Sequence, residues 1–250
     1  MSGKFARAAA AAAAFAALLA SSAFGATEGV ELAPANANIN NTASLQRGAK
    51  YFVNYCLGCH SAQYVRYNKL AEGLRLSEDQ LVSNLIFGDQ QPFDTMTNAM
   101  RSEDAERWFG ISPPDLSLIS RARGQDYIYN FLRGFYVDPT TATGSNNVVL
   151  PNTAMPHVLW ELQGLRRPIL EESGSEGAEP VIAGFETVMP GLLTEAEYDQ
   201  VARDIVNFLG YIGEPMQLER RALGIRVIAF LLAFLLIAWM LKREIWKDVH

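Results

Sequence analysis

Apolar residues recur at helical spacing in three stretches of the chain, and each stretch is preceded by a polar residue that can cap a helix. The first stretch begins after Ser44, the second opens with the capping box of Ser77 and Gln80, and the third opens with that of Thr194 and Glu197. The spacing predicts amphipathic helices with the following apolar positions: Leu45, Ala49, Phe52, Val53 and Cys56; Leu81, Val82, Leu85 and Ile86; Tyr198, Val201, Ala202, Ile205, Phe208, Leu209 and Ile212.

Strands are scarce in this pattern. Gly88 and Gly213 follow the second and third stretches and are predicted to end those helices. The two-residue alternation that is typical of a half-buried strand occurs only briefly, around residues 148–150 and 181–185. The chain is therefore predicted to be mainly α-helical, with long loops between the helices.

The two ends of the chain carry apolar runs. Residues 1–26 combine the basic residues Lys4 and Arg7 with an alanine-rich core and small residues before a cleavage point, which predicts a cleaved export signal rather than a retained span. Residues 222–241 are long enough to cross a hydrocarbon core of roughly 30 Å, and their basic and tryptophan-rich flank argues against a buried soluble helix. The predicted organisation is an export signal at 1–26, an exported domain at 27–220, a transmembrane anchor at 221–242 and a cytoplasmic tail at 243–250.

The most specific chemical signal is the segment Cys56-Leu57-Gly58-Cys59-His60. This spacing is the attachment signature of a c-type haem, in which both sulfurs bind the porphyrin covalently and the histidine ligates the iron. The alternatives are a redox dithiol and half of a zinc site. The chain has only two cysteines and three histidines, so the further ligands that zinc would need at close spacing are lacking. We therefore predict that Cys56 and Cys59 hold one haem c and that His60 is an axial ligand.

The exported domain is acidic. The chain has 21 basic and 27 acidic residues, and 14 of the basic and 25 of the acidic residues fall within 27–220, which gives a net charge of −11 there. This charge disfavours nucleic acid and anionic lipid as partners of that surface and favours a basic soluble electron carrier, although solubility alone would also explain it. The glutamate-rich run at 171–179 is most simply a solvated loop.

The second axial ligand has two candidates on sequence alone. Methionine sulfur is the usual partner of histidine in a closed electron-transfer haem. Met155 lies in the proline-flanked stretch 151–157, and Met189 lies shortly before the third predicted helix. Spacing alone favours Met189, and the other methionine would then serve packing. His250 and His157 are weaker candidates, and His157 is expected to be a polar residue near the haem edge.

The order of these and further motifs resembles the cytochrome c1 family, the haem c subunits of cytochrome bc1 complexes, from about residue 33 to the end. The chain departs from the mitochondrial pattern in three ways. It lacks extra cysteines, its segment before Pro113 is shorter, and Met155 is followed by Pro156 where the family often has more prolines. The resemblance is carried by these segments: Arg47-Gly48 through Tyr51 to Ser61 with Tyr64 and Tyr67; Pro113-Pro114-Asp115-Leu116-Ser117 with Arg121-Ala122-Arg123 and the stretch 126–136; Pro151 to Pro156; and the final span with its basic tail.

The resemblance implies a fold and several residue roles. The fold is a class I c-type cytochrome-like haem domain with long loops plus one C-terminal transmembrane helix. Met155 becomes the expected axial ligand opposite His60. Arg123 is the expected partner of a haem propionate, with Arg121 as the fallback, and Pro114 would form part of the haem wall on the histidine side. The second ring nitrogen of His60 is expected to donate to a backbone carbonyl.

The implied function is one-electron transfer from the Rieske iron-sulfur subunit to a soluble cytochrome c, while cytochrome b handles quinol. The complex would be dimeric and lie in a bacterial inner membrane, with the haem domain in the periplasm and no role for nucleic acid. The chain itself would be a non-catalytic redox subunit. The alternatives are a free-standing membrane-tethered carrier or the haem c subunit of a terminal oxidase, and a five-coordinate haem sensor or peroxidase-like enzyme.

Overall fold

The structure is a computed structural model that describes residues 31–171 and 181–249, so the predicted export signal at 1–26 and most of the acidic run at 171–179 lie outside the described residues. The described helices are α1 (Thr42–Tyr51), α2 (Tyr67–Leu74), α3 (Glu78–Leu85), α4 (Ser102–Phe109), α5 (Ile119–Arg123), α6 (Gln125–Arg133), α7 (Trp160–Gln163), α8 (Glu195–Gly213) and α9 (Gln217–Ile245). The described strands are β1 (Ala62–Arg66), β2 (Thr95–Met96), β3 (Phe135–Val137), β4 (Ser145–Asn147), β5 (Gly164–Glu171) and β6 (Val181–Pro190), which pair antiparallel as β1–β2, β3–β4 and β5–β6. The mainly helical fold class is confirmed.

Helix α1 leads into the C-x-x-C-H segment. It begins at Thr42, earlier than predicted, because the side chain of Asn41 accepts the backbone N–H of Ser44 and caps the helix. Ser44, the predicted cap, is instead buried. The helix continues into a π-helical turn over Phe52–Cys56. The predicted apolar face is confirmed as buried at Leu45, Ala49, Phe52, Val53 and Cys56.

Helix α8 packs against α1 and completes the centre of the core. Its predicted capping box at Thr194 is present. The two helices pack so closely at Gly48 that an added Cβ would lie 2.1 Å from the backbone oxygen of Asp204. Beside this crossing, the ring centroids of Phe52 and Phe208 are 5.2 Å apart. A glycine is therefore required at position 48 by the approach of α8.

A buried polar cluster also joins these two helices. The carboxylate of Asp204, whose side chain is 1% exposed, accepts hydrogen bonds from Arg47 Nε at 2.6 Å and from Ser44 Oγ at 2.5 Å. Asn207 Nδ2 donates to Ser44 Oγ at 2.6 Å. The hydrogen bond with Asp204 raises the pKa of the Arg47 guanidinium. Because these groups satisfy one another, the cost of burying the carboxylate is offset.

Two further helices extend the core. The capping box predicted at Ser77 is present at the start of α3, but the helix ends at Leu85 rather than at Gly88. Helix α6 packs on α8, where the hydroxyl of Tyr198 donates to the backbone oxygen of Leu132 at 2.7 Å. Helix α8 therefore contacts both α1 and the helix that follows the Arg-Ala-Arg block.

Strands β5 and β6 form a long hairpin that the apolar pattern predicted only in part. The strand expected at 181–185 continues to Pro190, and the register runs from Gly164 opposite Pro190 to Glu171 opposite Val181. Apolar side chains are exposed on both faces of this two-stranded ribbon. Apolar and polar residues therefore need not alternate along its strands, as they would if one face were buried. Those side chains include Ile169, Leu170 and Val188. The other strand expectation, at 148–150, is wrong, because β4 pairs with β3 through the polar residues 145–147.

Helix α9 has 29 residues, which is about 44 Å at 1.5 Å per residue. None of its residues is buried, and among the described helices it is the one long and apolar enough to cross a membrane. It begins at Gln217 and ends at Ile245, so it exceeds the predicted anchor of 221–242 at both ends. This length and composition fit a single-pass membrane protein.

Candidate haem site

The C-x-x-C-H segment lies at the end of the π-helical turn that continues α1. Cys56 is the last residue of that turn and is buried, whereas Cys59 and His60 follow it and are partly exposed. The backbone oxygen of Cys56 accepts the N–H of Cys59 at 3.0 Å and that of His60 at 2.8 Å. This tight turn brings the two sulfurs and the imidazole to the end of the helical segment that begins with α1.

Both cysteines are free thiols. Burial, with a smaller contribution from Cys59, raises the pKa of the Cys56 thiol to about 12, and burial also raises the pKa of the Cys59 thiol.

The imidazole of His60 is held by one hydrogen bond. Its Nδ1 lies 2.7 Å from the backbone oxygen of Pro114, and because a carbonyl can only accept, Nδ1 carries the proton. This is the backbone carbonyl contact that the sequence predicted without identifying the residue. Burial lowers the pKa of His60, and the Pro114 hydrogen bond opposes that effect. The geometry therefore favours a neutral, oriented ring whose Nε2 is available to a metal.

The segment that holds His60 is itself fixed to the chain around the motif. The carboxylate of Asp115 accepts the backbone N–H groups of Gln63 and Ser117, each at 2.8 Å. The backbone N–H of Leu116 donates to the oxygen of Ser61 at 2.8 Å. These contacts hold the Pro-Pro-Asp-Leu-Ser block against the C-x-x-C-H segment, and sequence reasoning had not assigned Asp115 this role. Pro114 is exposed, and its role as a haem wall stays a prediction.

Met155 lies in a loop that is held by buried polar side chains of β4. The Oδ1 atom of Asn146 accepts the N–H of Asn152 at 2.7 Å, and Ser145 Oγ accepts the N–H of His157 at 3.2 Å. Within the loop, the N–H of Met155 donates to Thr153 Oγ1 at 3.3 Å. The side chain of Met155 is partly exposed. Sequence reasoning missed these supporting residues, for which the consecutive polar stretch 145–147 was the available signal.

Met189, the competing candidate, lies in a different setting. It is part of strand β6, where it pairs with Leu165. Its side chain is 38% exposed and lines a cavity of about 460 Å³ together with Tyr136 and Trp160. The structure thus places one candidate ligand in a loop and the other in a strand, next to an irregularity in its pairing, and the assignment of Met155 stays a proposal.

His157, expected to be a polar residue near the haem edge, is buried. Its ring stacks on Phe135 with centroids 4.9 Å apart and planes within 2° of parallel. Burial, with the nearby charge of Arg166 as a smaller cause, lowers the pKa of His157 to about 4. Neither ring nitrogen has a hydrogen-bond partner among the described residues. The neutral imidazole is therefore packed like an aromatic side chain beneath the Met155 loop.

The two arginine candidates lie near the end of α5 and are exposed. The guanidinium of Arg123 lies over the ring of Tyr127, 5.5 Å from its centroid. Among the described residues, neither Arg123 nor Arg121 takes part in an ion pair. Arg121 lines a separate cavity next to α9. Pairing of Arg123 with a propionate stays a prediction.

The residues present fit a haem c. The chain offers two adjacent free thiols and an oriented imidazole at the end of one helix. Partly buried apolar side chains also come from the segments that flank Pro114, Arg123 and Met155, and such side chains suit a porphyrin face. These side chains, which pack against the core, are Leu116, Ile119, Tyr127, Phe131 and Val158.

Comparison with known proteins gives a consistent result. Residues 37–249 match the Cytochrome C1 family. The chain is 51% identical to cytochrome c1 of Allochromatium vinosum over 234 residues, which cover 93% of this chain and 96% of that protein. It is 45% identical to a Nitrosomonas europaea protein named ammonia monooxygenase gamma subunit, over 83% of this chain and 84% of that one. Cytochrome c1 of Rhodospirillum rubrum is 29% identical, with 82% and 81% coverage.

Proposed function

Because the chain belongs to the cytochrome c1 family, we propose that it is the haem c subunit of a cytochrome bc1 complex and relays one electron from the Rieske iron-sulfur subunit to a soluble cytochrome c. The hydrogen bond between His60 Nδ1 and the Pro114 oxygen carries this proposal. It joins the C-x-x-C-H segment to the Pro-Pro-Asp-Leu-Ser block. A C-x-x-C-H motif alone is shared by many carriers, whereas the combination of both blocks supports this family's role.

In this proposal the chain holds one covalent haem c, which supplies a reversible one-electron change at its iron when bound. Cys56 and Cys59 would fix the porphyrin through thioether bonds. His60 would present Nε2 as one axial ligand, with its ring orientation set by Pro114. Met155 would supply the second axial ligand from its loop.

Other residues would shape the surroundings of the group. Arg123 would pair with a propionate, for which the planar guanidinium is suited, and Pro114 would bound the haem on the histidine side. If His60 and Met155 both ligate the iron, the bound group would have no position open to a substrate. The chain would therefore act as a non-catalytic redox subunit, with quinol chemistry carried out by cytochrome b.

We also propose an orientation in a bacterial inner membrane. Residues 1–26 would direct export and be removed, and α9 would retain the protein as a single-pass anchor. The basic residues Lys242 and Arg243 at the end of α9, and Lys247 just after it, support a cytoplasmic C-terminus by the positive-inside rule. The haem domain would then lie in the periplasm, where covalent haem attachment and encounter with a soluble cytochrome c both take place.

The partners in this proposal are cytochrome b, the Rieske subunit and, by family, a second copy of the complex. The net charge of −11 over residues 27–220 supports docking of a basic cytochrome c. If that charge steers the partner, cytochrome c reduction should slow several-fold as ionic strength rises from about 0.01 to 0.15 M, because the Debye length then shortens from about 30 to 8 Å. A salt-independent rate constant, measured by stopped flow, would contradict the steering.

The experiment that tests the proposal is a reduced-minus-oxidised spectrum of the tagged protein after gentle detergent extraction and affinity capture. Haem b bands together with haem c, at one haem c per chain, and a co-purifying iron-sulfur subunit are the expected result. Haem c alone would indicate a tethered carrier, and absence of haem would contradict the site. The name of the Nitrosomonas europaea relative suggests a different complex as an alternative. In that case monooxygenase subunits would co-purify in the same preparation.

A further inference from the structure

A polar cavity of about 370 Å³ lies where the haem domain meets the start of α9. One wall is formed by the end of α8 at Gly210, where an added Cβ would lie 2.2 Å from Gln125 Nε2. The hydroxyl of Ser120 closes the same region by donating to the backbone oxygen of Leu209 at 2.8 Å. The cavity is therefore bounded by close-packed elements that are in place before any ligand binds.

The charged side chains of this cavity leave positive charge uncompensated. Its lining includes Arg121, Arg221 and one acidic residue, Glu214. Glu214 accepts a hydrogen bond from Arg220 at 2.5 Å, and that bond, with a smaller contribution from the charge of Arg121, lowers its pKa. Among the described residues, neither Arg121 nor Arg221 has an ion-pair partner. Two arginines are thus available to a negatively charged ligand.

The position of Arg221 sets the depth of the cavity in a membrane. Residues 222–241 account for roughly 30 Å of hydrocarbon at about 1.5 Å per residue, with Arg226 close enough to the end to snorkel to the headgroups, so Arg221 falls at the boundary. The headgroup layer adds roughly 5–8 Å on each side. The first turn of α9, from Gln217 to Arg221, rises about 6 Å and fills that layer. The cavity beside this turn therefore faces phospholipid headgroups.

We propose that this cavity binds the phosphate group of an anionic phospholipid from the outer leaflet. Guanidinium groups bind phosphate oxygens bidentately, and two uncompensated arginines match a lipid with net negative charge better than a zwitterionic one. The side-chain amides of Asn40 and Gln217, which also line the cavity, would bind headgroup hydroxyls. The site is a local exception to the acidic character of the haem domain. The inference rests on the proposed anchoring by α9 and is independent of the haem chemistry.

The test uses the full-length, haem-loaded chain in detergent, titrated with phosphatidylglycerol or phosphatidylcholine and followed by native mass spectrometry. Wild type should bind phosphatidylglycerol about tenfold more tightly than phosphatidylcholine. In the double variant Arg121→Gln/Arg221→Gln the phosphatidylglycerol affinity should fall about tenfold. The matched control Arg101→Gln/Arg107→Gln removes the same charge from the exposed surface of α4 and should change affinity less than twofold.

The remaining arms distinguish a bound lipid from free phosphate and from the absence of a site. Displacement of bound phosphatidylglycerol by millimolar inorganic phosphate would assign the cavity to free phosphate and overturn the lipid proposal. Equal affinity of the double variant and wild type would overturn it as well. If the double variant does not accumulate as folded holoprotein, Arg221→Gln alone should lower the affinity about threefold, and an unchanged affinity would contradict the site. Arg221→Gln alone is expected to leave the haem spectrum unchanged, so failure of lipid binding can be distinguished from failure of the proposed electron transfer.

Discussion

The segment that carries His60 and the segment that carries Met155 are fixed by different kinds of contact. The first is the end of α1, which α8 covers mainly with close-packed apolar side chains around Gly48, beside the polar cluster of Asp204 and Ser44. The second is a loop whose backbone donates to the buried side chains of Ser145 and Asn146. Apolar burial depends on surface area and tolerates small shifts, whereas a buried amide is costly as soon as one partner is lost. The two proposed axial ligands therefore rest on supports of different sensitivity.

The largest effect is expected from Gly48→Ala, which disturbs the packing of α1 against α8. The new methyl group would meet the backbone of Asp204 at 2.1 Å, and a backbone neighbour cannot rotate away. We expect the free energy of unfolding to fall by about 3 kcal/mol or more, with little haem-loaded protein recovered. Denaturant unfolding and haem-stained yield measure this.

The control for that substitution lies in the hairpin. At Gly184 the nearest atom to an added Cβ is Ile169 Cδ1, 3.9 Å away, which is ordinary contact. Gly184→Ala should therefore change stability by less than about 0.5 kcal/mol. Equal stability of the two variants would show that α1 and α8 do not pack as closely as described.

Met155→Leu tests the loop side directly. If Met155 ligates the iron, the substitution should remove the methionine-to-ferric-iron charge-transfer band and lower the reduction potential by on the order of 0.1 V or more, within the roughly 0.8 V range that axial ligation spans. Met189→Leu should leave both nearly unchanged. The reverse result from absorption spectra and redox titration would reassign the ligand to Met189 in β6.

Asn146→Ala should weaken the support of the loop without removing the ligand. The substitution deprives the N–H groups of Asn147 and Asn152 of their acceptor and Asp138 of a donor. Asn146 is 6% exposed, so we expect a loss of about 2–3 kcal/mol in unfolding free energy, together with a weaker charge-transfer band. The exposed Asn84 in α3 provides the control, since Asn84→Ala should leave both measurements nearly unchanged. An intact band in destabilised Asn146→Ala protein would mean that the loop is held by other contacts.

The smallest effect is expected at the start of α8. Thr194 Oγ1 accepts the N–H of Glu197 at 3.3 Å as part of the capping box. Thr194→Ala should cost about 1 kcal/mol by thermal or denaturant unfolding, and Thr194→Ser should restore most of it. The potential of the haem should not change in either variant. A shift in the reduction potential would show that a small change in the stability of α8 also alters the surroundings of the iron.

This contrast also explains which parts of the structure were predictable. The buried face of α1, the capping boxes at Ser77 and Thr194, and the apolar helix α9 follow from local rules of spacing, capping and length. The His60 contact to a carbonyl was predicted from ligand chemistry, but its partner Pro114 is 54 residues away, and local rules do not assign long-range backbone contacts. Local rules of apolar periodicity did not predict the polar residues 145–147 that support the Met155 loop, because those residues are not apolar. The same rules predicted the hairpin only in part, because its apolar side chains are exposed on both faces.

The short connection between α8 and α9 has a consequence for kinetics. Only Glu214, Pro215 and Met216 separate the two helices, and three residues extend at most about 11 Å. Proline fixes one backbone torsion of this connection, and Arg220 forms an ion pair with Glu214 across it. A connection this short restricts the haem domain to a small range of positions above the bilayer. We therefore expect the partner proteins to move towards this chain for electron transfer, while its haem domain stays in place.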